Sequence, residues 1–106
     1  MDKNKKLNLL TEKAELLKVL AHPVRLCILN CLLTETCNVT GLVTQMEIPQ
    51  STVSQHLSKL RSAGIIKGHR NGLEVKYQVI DKEIIEVLDI LLPKNFETIH
   101  YHENIN

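Results

Sequence analysis

Residues 39–66 read VTGLVTQMEIPQSTVSQHLSKLRSAGII, and the fold is most readily predicted from them. A short helix is predicted at its start, with Thr40 as the capping residue. After a tight turn, Pro49 opens a second helix, and Gly64 follows it where a left-handed residue is common. The apolar residues of the second helix recur at i, i+4 and i+7, namely Val53, Leu57 and Leu60. The stretch therefore predicts two consecutive helices joined by a tight turn.

The flanking sequence predicts three further helices. Apolar residues recur every three or four positions at Leu7, Leu10, Ala14, Leu17 and Leu20, which is typical of an amphipathic helix. Pro23 fits the first turn of a following helix, because a missing N–H costs nothing there. Asp81 is expected to cap a last helix that is apolar over much of its circumference, and Pro93 to end it.

A hairpin is predicted between the fourth and last helices. Val75, Tyr77 and Val79 alternate with polar residues, and Asn71 with Gly72 supplies a hairpin turn. This order of elements is typical of a mainly α fold with a small β-hairpin (α+β), the winged helix-turn-helix. We expect residues 1–93 to form this one domain and residues 94–106 to form a polar C-terminal tail.

Composition excludes several classes of protein. The chain has 106 residues, of which 43% are hydrophobic and 24% charged, and its formal net charge is +1. These values are typical of one globular domain, and a chain this short has little room for an enzyme's core and a deep substrate cavity. We therefore do not expect an enzyme. The start does not resemble a secretory signal and charged residues interrupt the apolar stretches, which favours a cytoplasmic protein without a membrane partner and with reduced thiols.

The charges are unevenly distributed along the chain. No acidic residue occurs between Glu47 and Glu74, whereas this interval contains four Lys or Arg residues and two His residues. Such a segment creates one positive face on a molecule of almost zero net charge. Because DNA phosphates attract such a face, double-stranded DNA is the predicted partner.

Residue types within this segment suit base edges at one end and phosphates at the other. Short hydroxyl and amide side chains in the first half of the fourth helix can bond bases, while the later cations and the hairpin tip suit the DNA backbone or minor groove. The predicted DNA-binding residues are Gln50, Ser51, Thr52, Ser54, Gln55, His56, Lys59, Arg61, Lys67, His69, Arg70 and Lys76. Two alternatives stay open: the polar helix only solvates the surface, or the domain docks another protein without binding DNA.

Three motifs resemble the ArsR/SmtB family of bacterial winged-helix repressors. They are Ala-His-Pro-Val-Arg at residues 21–25, Ser-Gln-His-Leu at residues 54–57, and Asn-Gly-Leu-Glu-Val-Lys-Tyr at residues 71–77. The resemblance implies a homodimer through the first and last helices, a palindromic operator, and release by a metal ion or a thiol-modifying signal. The apolar last helix supports the dimer independently, because such a helix is poorly suited to the surface of a small monomer.

The usual sensor sites of this family are altered in the chain. In the thiol site at the third helix, the two Cys positions hold Asn38 and Thr40. In the site on the last helix, a His position holds Glu83 and the distal positions hold Lys94 and Glu97. The last helix has no Cys for a disulfide with the second helix.

Three thiols remain as a candidate sensing site. Cys27, Cys31 and Cys37 lie within eleven residues and could bind a soft ion such as arsenite, or Zn or Cd with a fourth ligand. The alternatives are inert packing of these thiols, and a regulator with no metal or thiol inducer. His100 and His102 are either zinc ligands or polar surface.

Two residues near the second helix are assigned structural roles. We expect Arg25 to form an ion pair with a carboxylate such as Glu83 or Glu86 rather than to contact DNA. His22 is interpreted as a polar group at the helix boundary. A thiol enzyme, which requires a Cys beside a His base, is disfavoured because only His22 lies near a Cys in sequence.

Overall fold

The computed structural model describes residues 1–92, so Pro93, the tail at residues 94–106, and with it His100 and His102, lie outside the described residues. The elements of the described part are α1 (Lys3–Leu20), α2 (Pro23–Thr34), α3 (Val39–Met46), α4 (Gln50–Ser62), β1 (Ile66–Asn71), β2 (Glu74–Val79) and α5 (Lys82–Leu91). This order confirms the predicted mainly α fold with a hairpin wing.

Side chains fix the starts of most of these helices. Nδ1 of His22 accepts a hydrogen bond from Val24 N–H at 3.1 Å, with Pro23 at the first helical position, which confirms the boundary role of His22. Asp81 caps α5, as predicted, through a bond of 3.1 Å from Ile84 N–H. Each cap satisfies a backbone donor that has no partner inside the helix.

The predicted cap of α3 is wrong. Oδ1 of Asn38, two residues before Thr40, accepts from Gly41 N–H at 2.7 Å and starts the helix at Val39. Thr40 lies in the first turn instead, and its carbonyl accepts from the Thr44 hydroxyl. Asn38 is among the strongest N-cap residue types, so it wins this local competition.

The hydrophobic core lies between α2 and the helix-turn-helix unit formed by α3 and α4. Ile28 and Leu29 of α2, Leu42 and Met46 of α3, and the apolar stripe of α4 are buried. Ile84 and Leu88 of α5 close the core from the far side. Burial of these side chains supplies the main stabilising free energy of a domain of this size.

Gly64 ends α4 with a φ of +75°, as its position after the apolar stripe predicts. The left-handed conformation, which costs glycine little, turns the chain so that the Ile65 carbonyl accepts from Ile80 N–H at 2.9 Å. The hairpin therefore starts directly beside the end of α4.

β1 and β2 form a two-stranded antiparallel hairpin, the wing, with register from Ile66 opposite Val79 to Asn71 opposite Glu74. A Cβ on Gly68 would lie 2.9 Å from Val75 and 3.3 Å from Tyr77, so only glycine fits under these two side chains. Tyr77 N–H also donates to the Cys37 carbonyl at 2.8 Å, which fixes the base of the wing to the loop before α3.

α1 and α2 meet at a bend of 88°. Among the helices of residues 1–92, none is long and apolar enough by itself to cross a membrane, and only α1 and α2 taken together reach that length and composition.

Candidate nucleic-acid interface

The turn between α3 and α4 presents one face of α4 outward. Glu47 ends α3 in the left-handed region, with a φ of 55°, and the chain reverses direction before Pro49. The apolar stripe of α4, confirmed at Val53, Leu57 and Leu60, is buried at all three positions. Because these residues occupy one side of the helix, the polar residues between them must face outward.

The predicted base-reading residues lie in the first two turns of α4. Gln50, Ser51, Ser54 and Gln55 are exposed, whereas Thr52 is half-buried. These side chains form a hydroxyl- and amide-bearing surface that can donate hydrogen bonds to base edges and accept them.

The predicted phosphate contacts on α4 lie near its carboxyl end. Lys59 and Arg61 are exposed, and both occupy the last turn, where the helix dipole favours positive charge. The last turn of α4 ends at Ser62, and the first strand of the wing begins four residues later, at Ile66.

The wing carries its cations on two faces. Lys67 and His69 share one face with their cross-strand partners Gln78 and Lys76, and Nε2 of His69 lies 3.0 Å from Oε1 of Gln78. These four residues are exposed. The register places Arg70, also exposed, on the opposite face near the turn. Leu73 in the turn is fully exposed, and its position matches no apolar period, so the sequence pattern does not predict a role for it.

Neither the ion pair of Lys13 with Glu83 nor that of Lys18 with Glu15 includes any of these cations. Glu74, the first acidic residue after the acid-free segment, accepts a hydrogen bond from the Asn38 side chain at the start of α3. The cationic surface of α4 and the wing therefore keeps its charge.

Arg25 does not form the predicted ion pair. Its Nε donates to Nδ1 of His56 at 3.1 Å, its Nη1 donates to the Val19 carbonyl at 3.0 Å, and Glu83 pairs with Lys13 instead. The prediction is wrong because Arg25 donates to His56 of α4 and to the backbone of α1 rather than to a carboxylate of α5.

His56 lies on the inner edge of α4. Its half-buried ring stands 4.4 Å from the His22 ring and accepts the bond from Arg25. Burial lowers the pKa of His56 below its ordinary value, and the positive charges of His22, Arg25 and Lys59 lower it further. The structure thus separates His56 from the outward-facing residues predicted to bind DNA.

The three thiols are not brought together as one site. Within residues 1–92 no group of three or more His, Cys, Asp or Glu side chains is arranged to hold a metal ion, so the three-thiolate hypothesis lacks its geometry. Cys37 is buried at the base of the wing, and burial raises its pKa. Cys27 is half-buried on α2, and a hydrogen bond with Cys31 lowers the pKa of Cys27 against the opposing effect of burial.

Comparison with known proteins gives the same family throughout. Residues 22–67 match the model of the arsR family of bacterial regulatory proteins. The transcriptional repressor PagR of Bacillus anthracis is 42% identical over 85 residues, covering 79% of this chain and 85% of PagR. The repressor SmtB of Mycobacterium tuberculosis is 39% identical over 80 residues, covering 76% of this chain and 59% of SmtB.

Solved structures show the same architecture. The crystal structure of PagR superposes with a TM-score of 0.73 at 41% identity, covering 80% of this chain and 98% of PagR. The homodimeric winged helix-turn-helix DNA-binding domain of Mb0332 from Mycobacterium bovis gives a TM-score of 0.77 at 26% identity, covering 85% and 83%. With this fold and these relatives, the chain belongs to the ArsR family of bacterial regulatory proteins, a family of transcription regulators rather than enzymes.

Proposed function

We propose that this chain is a transcriptional repressor that binds a palindromic DNA operator as a homodimer. The observation that supports the proposal is the surface of α4 and the wing, which bears exposed cations and exposed side chains that form hydrogen bonds. That surface has the charge that DNA phosphates require and the donors that base edges require.

In this proposal the first half of α4 enters the major groove. Gln55 can bond adenine through both groups of its amide, and Ser54 can donate to a base acceptor or accept from a base amine. Lys59 and Arg61 neutralise phosphates from the end of the helix. The wing cations Lys67, His69, Arg70 and Lys76 contact the DNA beside the groove.

The dimer is proposed from the apolar surface of α1 and α5. Leu7, Leu10 and Leu17 of α1 are more than half exposed, and Ile90 and Leu91 of α5 are 83% and 63% exposed. Side chains this apolar gain free energy when a partner covers them. The structural relative Mb0332 is a homodimer, which supports the same assembly. A two-fold dimer would place two α4 helices about 34 Å apart, one turn of DNA.

A mobility-shift titration tests DNA binding, with the DNA upstream of the gene and a random duplex of equal length. We expect Gln55→Ala and Ser54→Ala to reduce the ratio of operator to random affinity by about 5–150-fold at each half-site, equivalent to about 1–3 kcal/mol for a lost base contact. Ser62→Ala, at the end of the same helix, is the matched control and should keep the ratio. No salt-dependent binding by the wild type to either duplex would refute the proposal and favour a protein-docking module.

The proposed release signal, a soft metal or metalloid ion or a thiol modifier, acts first at Cys27, because Cys27 is half-buried whereas Cys31 and Cys37 are buried. The hydrogen bond with Cys31 lowers the pKa of Cys27 and increases its thiolate fraction, and the thiolate is the reactive form. The mobility shift is repeated with Zn, Cd, arsenite and an oxidant on the wild type and on a Cys27/Cys31/Cys37 triple Ser variant. A response confined to the wild type supports the thiols. A response that survives in the variant, or no response in either protein, contradicts thiol sensing.

A further inference from the structure

Arg25 connects three helices through one guanidinium group. It belongs to the first turn of α2, its Nη1 donates to the Val19 carbonyl in the last turn of α1, and its Nε donates to His56 of α4. The Val19 carbonyl is one of the helix-end acceptors that have no partner within their own helix. The Arg25 side chain therefore fixes the position of α4 relative to α1 and α2.

This arrangement depends on the protonation state of His56. An Arg side chain only donates hydrogen bonds, so Nδ1 of His56 must be the acceptor and the proton of the neutral ring must lie on Nε2. A second proton on the ring would occupy Nδ1 and remove the acceptor. It would also place two positive groups 3.1 Å apart, with the His22 ring on another side at 4.4 Å.

The groups that act on His56 are all basic. His22 and Arg25 face it from α2, Lys59 acts from α4 itself, and α1 contributes the Val19 carbonyl through Arg25. Within residues 1–92 no carboxylate contributes to the shift of this ring. A protonated His56 would thus have no anionic partner to retain it in its present position.

We propose that Arg25 is a positioning residue for the DNA-reading helix α4, and that α4 holds its DNA-binding orientation only while His56 is unprotonated. The proposal rests on the proposed function, because it assigns α4 as the helix that reads DNA. Acid would then release DNA through α2 and α4, without a metal ion or a thiol.

The direction of the pH dependence follows from the contacts of His56. Its pKa lies below the ordinary value of 6.5, so the ring is neutral at pH 7.5 and the bond from Arg25 is present. The contribution of this bond to the stability of the folded protein is complete above pH 6.5. It is lost as the pH falls through the lower pKa that His56 has in the folded protein. Below that pKa, one linked proton in each chain of the proposed dimer weakens DNA affinity by at most about a hundredfold per pH unit.

An NMR titration of the histidine rings in the full chain without DNA tests the positioning role. We expect His56 to be the Nε2–H tautomer and to titrate below 6.5. In Arg25→Met, which removes the positive charge but keeps much of the apolar stem, the pKa of His56 should rise. An Nδ1–H tautomer, or the same pKa in both proteins, would overturn the proposal.

Operator affinity at pH 7.5 and at a pH one unit below the pKa that the NMR titration gives for His56 tests the functional consequence. We expect the wild type to lose affinity at the lower pH, and His56→Gln, whose amide oxygen accepts but does not protonate, to lose much less. Ser62→Ala, at the exposed end of the same helix and outside the proposed DNA contacts, is the control and should keep the wild-type loss. An equal loss in His56→Gln and wild type refutes the proposal, whereas no DNA binding by the wild type at pH 7.5 refutes the proposed function itself.

Discussion

Arg70→Ala separates the attraction of DNA phosphates from the reading of bases. Arg70 is exposed near the turn of the wing and belongs to neither ion pair of the described residues, so its loss should change the free energy of unfolding by less than about 0.5 kcal/mol. Each phosphate contact contributes about 0.9 to the slope of log K against log salt concentration. A dimer loses two contacts, so the slope should become shallower by about 1.8, which corresponds to about 60-fold weaker binding at 0.1 M salt.

Fluorescence anisotropy at four or five salt concentrations measures this slope on operator DNA and on a random duplex. The affinity for both duplexes should fall by similar factors, because a phosphate contact carries no base information. Lys82→Ala, which removes the same charge from the start of α5, should leave the slope unchanged. If the affinity fell only for the operator and the salt slope stayed unchanged, Arg70 would be a base contact and not a phosphate contact.

Three other substitutions test the core, the dimer and the cap of α3. Leu60→Ala empties a fully buried position in α4 and should lower the free energy of unfolding by about 2–5 kcal/mol in a urea titration, and a change below about 1 kcal/mol would contradict its core role. Ile90→Glu places a charge on the exposed apolar face of α5 and should shift the protein from dimer to monomer in sedimentation without loss of helix content, whereas an unchanged dimer would exclude this face. Asn38→Ala should cost about 1 kcal/mol of unfolding free energy and Thr40→Ala less, and the reverse order would restore Thr40 as the cap.

The features that the sequence predicted correctly depend on neighbouring residues. Pro23, Gly64 and Asp81 mark helix ends through their own backbone or side-chain chemistry, and the structure confirms each mark. The apolar stripe of α4 is equally local, because its spacing alone defines the buried side. The prediction of the α3 cap also used local residues, and it failed because two capping residue types, Asn38 and Thr40, lie only two positions apart.

The contacts that the sequence missed join residues far apart along the chain. Arg25 and His56 are separated by 31 positions, and their contact depends on how α2 packs against α4, which no local pattern contains. The same limit applies to the thiols: spacing places Cys27 and Cys31 one turn apart, but the backbone pairing of Cys37 with Tyr77 fixes the third thiol at the base of the wing. The sequence predicted the two alternating faces of β2, but which residues of β1 lie opposite them depends on the register, which pairs Lys67 with Gln78 and His69 with Lys76.

The central question is whether α4 of a two-fold dimer reads DNA, and protection of the upstream DNA from hydroxyl radicals and methylation is the most direct test. With the wild-type protein we expect two protected major-groove segments related by two-fold symmetry, with centres about 10 base pairs apart. With Gln55→Ala, at a concentration that saturates the wild type, we expect both segments to be lost. A single protected segment, or protection that remains identical in Gln55→Ala, would contradict this expectation.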